Sequence, residues 1–141
     1  MGKSKVLLIE DEKIDALGVG RVLKELYPSV LLEVINTSEQ AIEWILRFRQ
    51  DRDRVALILM DMTLPRMHGL ELLPEIKRNK DLASTPVVIL SGNDSPEAIR
   101  NAYQSGACAY ILKHSEFKEM RQLLTRIFDF WLNANVLLQP N

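Results

Sequence analysis

This sequence has little cysteine, little net charge and no long apolar run. Cys108 is the only cysteine among 141 residues, so no disulfide can form within the chain. No segment approaches the roughly 20 consecutive apolar residues that cross a bilayer, and no apolar leader follows Met1. The sequence therefore predicts a cytoplasmic protein that does not enter a membrane. Because Cys108 lies between two alanines, we interpret it as a packed small side chain and not as a reactive thiol.

The charges are nearly balanced. Lysine plus arginine number 18 and aspartate plus glutamate number 19, which gives a net charge of −1. Such a chain has no strong field to attract a polyanion, so binding to nucleic acid is not indicated. With 47% hydrophobic residues, the composition is typical of one globular domain.

Five short apolar segments alternate with helical patterns. Runs of valine, isoleucine and leucine without polar alternation are typical of strands buried on both faces of a parallel sheet. They predict strands at 5–9, 31–35, 56–60, 86–90 and 109–112. We expect Thr37 or Ser38 to cap the second helix, Ser95 followed by Pro96 to begin the fourth, and the last helix to run from Glu116 to about Asn133. This alternation predicts an α/β protein with a doubly wound parallel sheet.

Four of the predicted strands end in polar residues that can take part in chemistry. These residues are Glu10 and Asp11 after the first strand, Asp61 after the third, Ser91 after the fourth and Lys113 after the fifth. Parallel sheets bind ligands at the carboxyl ends of their strands, so we expect the side chains to converge. Carboxylates, a hydroxyl and an ammonium are the groups needed to hold a divalent cation beside a phosphoryl group.

The segment 61–69, Asp-Met-Thr-Leu-Pro-Arg-Met-His-Gly, resembles the phosphoacceptor loop of bacterial response-regulator receiver domains. The acidic pair before it, and Ser91 and Lys113 after it, follow in the order of that family. The resemblance covers nearly the whole chain and implies a flavodoxin-like sheet with strand order 2-1-3-4-5. It implies a receiver domain over residues 1–133 and a short tail over 134–141, with no output domain.

The resemblance also implies roles for individual residues. Asp61 would accept a phosphoryl group from a histidine kinase or exchange it with a histidine phosphotransfer protein, and Lys113 would contact the phosphoryl oxygens. Ser91 and Tyr110 would be the switch residues that alter the surface formed by the fourth helix, fifth strand and fifth helix. The protein would then be a signalling receiver that catalyses only its own phosphoryl transfer and dephosphorylation.

A magnesium site is implied at the same place. Its ligands would be Glu10, Asp11, Asp61 and the backbone carbonyl of Thr63, with the first acid acting largely through water. Each acid alone is explained equally well as a helix cap or a solvated turn residue. Three acids at adjacent strand ends would repel one another without a cation, which favours the metal site.

Some residues depart from the family pattern. His114 follows Lys113 where many receivers have a proline, often after a cis bond. Because a cis bond before a non-proline residue costs about 3 kcal/mol, we expect this loop to be either trans or strained. His68 and His114 lack the spacing of metal ligands and are interpreted as solvated. In the family that the chain resembles, the positions of Met62 and Asn93 tune dephosphorylation, but these two residues do not predict the lifetime of a phosphoryl group.

The last helix carries more apolar surface than one face can bury. One stripe, expected to face the sheet, consists of Phe117, Met120, Leu124, Ile127 and Trp131, and further apolar residues are Leu123, Phe128, Phe130 and Leu132. Either the tail 136–140 folds back over this helix, or the helix forms a homodimer. The string 128–133 and the tail resemble single-domain response regulators of cyanobacterial-type phytochrome histidine kinases.

Three other kinds of protein share part of this sequence pattern. A degenerate receiver, acting only as a protein-interaction module, would tolerate His114 but leaves the full set of site residues unexplained. A haloacid-dehalogenase-type phosphatase needs a second acid where Thr63 stands. A flavodoxin-like cofactor protein needs a phosphate-binding loop in place of the acidic segment 11–13.

Overall fold

Strands and helices alternate along the chain, and five of the described strands form a parallel sheet in the order 2-1-3-4-5. The computed structural model describes residues 3–64 and 67–137, with the backbone alone at 67 and 68. The sheet strands are β1 (Ser4–Ile9), β2 (Leu31–Ile35), β3 (Arg54–Met60), β4 (Val87–Ser91) and β5 (Ala109–Leu112). The predicted α/β fold, its sheet order and all five strands are confirmed, with bounds that move by at most two residues.

Five helices cover the two faces of this sheet. They are α1 (Lys13–Leu26), α2 (Ser38–Arg47), α3 (Leu72–Arg78), α4 (Pro96–Gln104) and α5 (Phe117–Phe128). Thr37 is the cap of α2, since its side chain accepts a hydrogen bond from the amide of Gln40. Ser95 caps α4 through the amide of Ala98, with Pro96 at the first helical position, as predicted. A π-helical segment (Asp129–Ala134) continues α5, so the predicted helical end near residue 133 is also confirmed.

The sheet divides the core into two layers because successive strand residues point to opposite faces. On β1, Leu7 and Ile9 pack in one layer with residues of α2 and α3. Val6 and Leu8 pack in the other layer with residues of α1 and α5. All four are at most 1% exposed, which explains why these strands lack polar alternation.

The loop after β3 folds back on itself in a way that the sequence did not predict. Residues Thr63–Leu64 pair with Met67–His68 in a short antiparallel ladder, and a 3-10 turn (Gly69–Glu71) leads into α3. The amide of Gly69 donates to the carbonyl oxygen of Met62 at 2.7 Å. A Cβ at residue 69 would lie 2.7 Å from the carbonyl oxygen of Asp61, so only glycine permits this approach.

The apolar stripe of α5 that was expected to face the sheet was predicted wrongly at its first residue, Phe117. Phe117 is 63% exposed and lines a groove between α1 and α5, whereas Phe128 is fully buried. Phe128 lies one turn after Leu124, on the face that packs against the sheet. Phe117 belongs to the first helical turn, where it reaches the groove instead of the core.

Two further expectations concern exposure near the end of the sheet and in the tail. Cys108 is exposed just before β5, so its interpretation as a packed residue is wrong. Val136 is 90% exposed and does not pack over α5; residues 138–140 of the tail lie outside the described residues. Among the helices that the structure describes, none is both long and apolar enough to span a bilayer.

Candidate functional site

The sheet brings the carboxyl ends of its strands into line. The amide of Asp61 donates to the carbonyl oxygen of Ile9, and the amide of Lys113 donates to that of Ser91, at 3.0 and 2.9 Å. These bonds continue the strand pairing by one residue beyond β3 and β5. Four of the predicted side chains, those of Glu10, Asp11, Asp61 and Lys113, meet in a crevice at this edge of the sheet, whereas the hydroxyl of Ser91 contacts Asn93.

Three acidic side chains form a cluster in this crevice. Oxygen atoms of Glu10, Asp11 and Asp61 all lie within 4.8 Å of one another. Glu10 is 2% exposed and Asp61 is 8% exposed, while Asp11 is half-buried. Carboxylates held this close and this deep repel one another strongly unless a cation lies among them.

Lys113 supplies one positive charge to the cluster. Its Nζ donates to Glu10 Oε1 at 2.9 Å and to Asp61 Oδ2 at 3.1 Å, and the side chain is only 18% exposed. A third bond, at 2.8 Å, reaches Asp15 Oδ2. The three hydrogens of the ammonium are thus all used.

The sequence did not predict the contact between Asp15 and Lys113. Asp15 lies in the first turn of α1, a few residues beyond the acidic strand end. An acid in the first turn is common for helix-dipole reasons alone, so the sequence offered only a weak signal. The signal was that the first turn of α1 directly follows Glu10 and Asp11, two predicted metal ligands at the end of β1.

The surroundings change the proton affinity of two groups. Burial raises the pKa of Glu10 to about 7; the nearby charge of Asp61 adds to this, and the hydrogen bond from Lys113 opposes it. Burial alone would lower the pKa of Lys113, but hydrogen bonds to Asp15 and Glu10 outweigh it, so this pKa lies above its usual range. The lysine is charged at neutral pH, and it does not by itself neutralise the acids around it.

Thr63 lies beside Asp61 through its backbone. Its amide donates to Asp61 Oδ1 at 3.1 Å, whereas Lys113 donates to the other oxygen, Oδ2. The two bonds together fix the orientation of the carboxylate. The side chain of Thr63 is exposed, in agreement with a position where only the main chain is used.

The two predicted switch residues meet at one backbone position. Ser91 is 1% exposed, and its Oγ accepts a hydrogen bond from the amide of Asn93 at 3.2 Å. The hydroxyl of Tyr110 donates to the carbonyl oxygen of Asn93 at 2.6 Å. Asn93 therefore joins the buried hydroxyl to the half-buried aromatic residue of β5.

The loop after Lys113 takes one of its two expected forms. No peptide bond among the described residues is cis, so the bond before His114 is trans. His114 is exposed, with its Nδ1 3.3 Å from Glu119, and it does not belong to the acidic cluster. His68 has a described backbone only.

Comparison with known proteins identifies the family. A family model of the response regulator receiver domain matches residues 6–125. The chain belongs to this family. Receiver domains are signalling proteins of two-component systems, and this receiver shares with them the acidic crevice described above.

Relatives of known structure extend the likeness to the full length of the receiver. Response regulator Rcp1 of Synechocystis is 31% identical over 134 residues, which cover 94% of this chain and 91% of Rcp1. The phosphorylated cyanobacterial phytochrome response regulator RcpA has a TM-score of 0.88 at 28% identity, over 99% of this chain and 100% of RcpA. The Mn²⁺-bound form of Rcp1 has a TM-score of 0.82 at 30% identity, over 96% and 99% of the two chains.

Receiver domains bind Mg²⁺ at an acidic site, and the residues here fit such an ion. Three carboxylates offer hard oxygen ligands whose atoms lie within 4.8 Å of one another, which suits a divalent cation. The Mn²⁺ bound to Rcp1 is an ion of similar ligand preference.

Proposed function

We propose that this receiver accepts a phosphoryl group from a histidine kinase on Asp61, as a response regulator of a two-component system. One observation carries the proposal: the nearly buried carboxylate of Asp61 lies 3.1 Å from the ammonium of Lys113 and within 4.8 Å of oxygen atoms of two other acids. A carboxylate with a fixed cation on one side and a metal site on the other is arranged to receive a phosphoryl group.

In the transfer, an oxygen of Asp61 attacks the phosphorus of a phosphohistidine. The oxygen–phosphorus bond forms as the phosphorus–nitrogen bond breaks, and the departing imidazole nitrogen keeps the electron pair and takes up a proton. The product is an acyl phosphate, which water later hydrolyses. Lys113 places its charge where negative charge collects on the phosphoryl oxygens. The protein catalyses only this transfer and the removal of its own phosphoryl group.

Magnesium would be held by Glu10, Asp11, Asp61 and the carbonyl oxygen of Thr63. When bound, the ion neutralises charge on the phosphoryl oxygens and keeps water in its remaining positions. Support comes from the clustered carboxylates and from the Thr63 amide, which places this residue beside Asp61.

The output is a change of the surface formed by α4, β5 and α5. A phosphoryl oxygen on Asp61 would accept a hydrogen bond from the hydroxyl of Ser91, and drawing this side chain toward the phosphoryl group would disturb the bond that its Oγ accepts from the amide of Asn93. The carbonyl oxygen of Asn93 also accepts from the hydroxyl of Tyr110, and its side-chain oxygen accepts from the amide of Ser95. Ser95 is the residue whose side chain caps α4. A shift of Ser91 therefore reaches the aromatic residue and the start of α4 through one residue.

A phytochrome-type histidine kinase is the phosphoryl donor that we favour, and a histidine phosphotransfer protein is the other protein with matching chemistry. The support is likeness to RcpA, a cyanobacterial phytochrome response regulator, over 99% of this chain. We assign the receiver to residues 1–133 and regard 134–141 as a tail.

A homodimer through α5 and its continuation is the partner arrangement that the exposed apolar residues support. Phe117, Phe130 and Val136 are 63%, 51% and 90% exposed on this segment. Light scattering at increasing protein concentration should show a dimer in the wild type and a smaller mass for Phe130→Ser. A monomer at every concentration excludes the dimer.

The phosphoryl transfer is tested by the intact mass of the protein after incubation with acetyl phosphate, with and without Mg²⁺. We expect a Mg²⁺-dependent gain of one phosphoryl group that is absent in Asp61→Asn. No gain under either condition would contradict the proposal and favour the alternative, a degenerate receiver that acts only by binding a partner. A gain that persists in Asp61→Asn would place the acceptor elsewhere.

A further inference from the structure

We propose that Asp15 is a positioning residue that holds the ammonium of Lys113 against Asp61 before phosphoryl transfer. The inference rests on the proposed function, because it assigns a residue to the same reaction. Asp15 does not touch the reacting oxygen and acts only through the lysine.

The contacts of Lys113 fix its ammonium from three sides. Its hydrogens go to Asp15 in the first turn of α1, to Glu10 after β1 and to Asp61 after β3, at 2.8, 2.9 and 3.1 Å. The bond to Asp15 is the shortest of the three. With the lysine side chain only 18% exposed, water replaces few of these contacts.

Asp15 differs from the other two acceptors in one respect. Glu10 and Asp61 belong to the acidic cluster whose oxygen atoms fit a divalent cation, and Asp15 does not. A cation bound there competes with Lys113 for the oxygens of Glu10 and Asp61. The carboxylate of Asp15 remains available, so it is the acceptor that keeps the lysine in place in the metal-loaded protein.

An anchor on the side chain matters because the lysine stem is flexible. Lysine has four rotatable bonds, and a catalytic charge is most effective when it is fixed before the reaction begins. The backbone of Lys113 is held to the end of β4, since its amide donates to the carbonyl oxygen of Ser91 at 2.9 Å. Because the flexible stem separates this backbone from the ammonium, the side-chain contacts determine where the ammonium lies.

Asp15 has a simpler explanation, in which an exposed acid only interacts with the positive end of α1. The side chain is 44% exposed, which is compatible with that view. Three variants separate the two explanations. Asp15→Ala removes the acceptor, Asp15→Asn removes the charge and keeps an acceptor oxygen, and Glu12→Ala removes an acid at the same helix end whose side chain is exposed and does not cap α1.

The first measurement is the initial rate of phosphoryl uptake from acetyl phosphate at saturating Mg²⁺, followed by intact mass. We expect Asp15→Ala to be slower by about threefold to tenfold. We expect Asp15→Asn and Glu12→Ala to stay within about twofold of the wild type. If Asp15→Ala keeps the wild-type rate, or if Glu12→Ala is slowed equally, the proposal is overturned.

The second measurement is the ¹⁵N-detected NMR signal of the Lys113 ammonium in the Mg²⁺-loaded protein, assigned with Lys113→Arg. A fixed ammonium exchanges its protons slowly, so we expect a signal in the wild type and in Asp15→Asn that broadens or vanishes in Asp15→Ala. An unchanged signal in Asp15→Ala overturns the proposal whatever the rate. If the wild type takes up no phosphoryl group, the proposed function fails, and this signal still decides whether Asp15 positions the lysine.

Discussion

The hydroxyl of Tyr110 lies 2.6 Å from the carbonyl oxygen of Asn93, whose amide donates in turn to Ser91 Oγ. One backbone unit thus connects a buried hydroxyl at the site to an aromatic residue near the surface. Because both hydrogen bonds end on Asn93, a displacement of Ser91 that moves Asn93 also alters the bond of Tyr110.

Removing the tyrosine hydroxyl should loosen this connection. We expect Tyr110→Phe to lower the free energy of unfolding by about 1 kcal/mol and to speed hydrogen exchange at the amide of Asn93. The control is Tyr103→Phe, because the hydroxyl of Tyr103 accepts from the amide of Tyr110 and does not touch Asn93. Equal exchange rates at Asn93 in Tyr110→Phe and the wild type would contradict the connection.

Gly69 controls the shape of the loop that carries Asp61. In Gly69→Ala the new Cβ meets backbone atoms at 2.7 to 3.1 Å, so the loop must move away from Asp61 and Met62. We expect a loss of about 1–3 kcal/mol in unfolding free energy and weaker Mg²⁺ binding by calorimetry. Gly92→Ala is the matched control, since nothing lies within 4 Å of its Cβ position. Similar losses in both variants would show that the effect is not steric.

Two phenylalanines near the end of α5 should differ sharply in their contribution to stability. Phe128 is fully buried, so Phe128→Ala should cost about 3–5 kcal/mol in urea unfolding. Phe130 is 51% exposed and makes an edge contact with Trp131, so Phe130→Ala should cost about 1 kcal/mol or less. If Phe130→Ala proves the more costly change, the face assigned to the core is wrong.

The sequence was sufficient to predict the sheet and the place of the site, because the apolar runs that form the strands end directly at the polar residues of the site. Apolar runs buried on both faces, such as β3, leave little doubt about a parallel sheet, and a polar residue such as Asp61 marks where the run ends. The convergence of Glu10, Asp11, Asp61 and Lys113 follows from topology, so it was predicted and is confirmed.

The sequence could not predict features that depend on how distant elements pack against one another. Periodicity assigns a face to α5 but not the point at which the helix leaves the sheet, which is why Phe117 and Phe128 were assigned wrongly. The partner of Asp15 is 98 residues away, on another strand end, and no local pattern predicts such a pair. Cys108 is exposed although the preceding Ala107 is buried, so small neighbours did not determine on which side of this connection the thiol lies.

The pH dependence of stability should reveal the buried carboxyl of Glu10. Its pKa is raised to about 7 in the folded protein, chiefly by burial, from an ordinary value of 4.5. The folded protein therefore holds this proton more tightly than the unfolded chain, and stability is lost as the pH rises from about 4.5 to 7. Lys113, whose pKa is raised above its usual range, stays charged throughout that window.

Comparison of the wild type with Glu10→Gln isolates this effect, because the amide cannot titrate. Without divalent metal, we expect the urea midpoint of the wild type to fall between pH 4.5 and 7 relative to that of Glu10→Gln. Saturating Mg²⁺ should reduce the fall, since a cation bound at the cluster stabilises the ionised carboxylate. Parallel profiles for the two proteins would mean that Glu10 is already ionised at pH 5. Its charge would then be compensated by Lys113 alone, and the cluster would have less need of a metal than its three acids indicate.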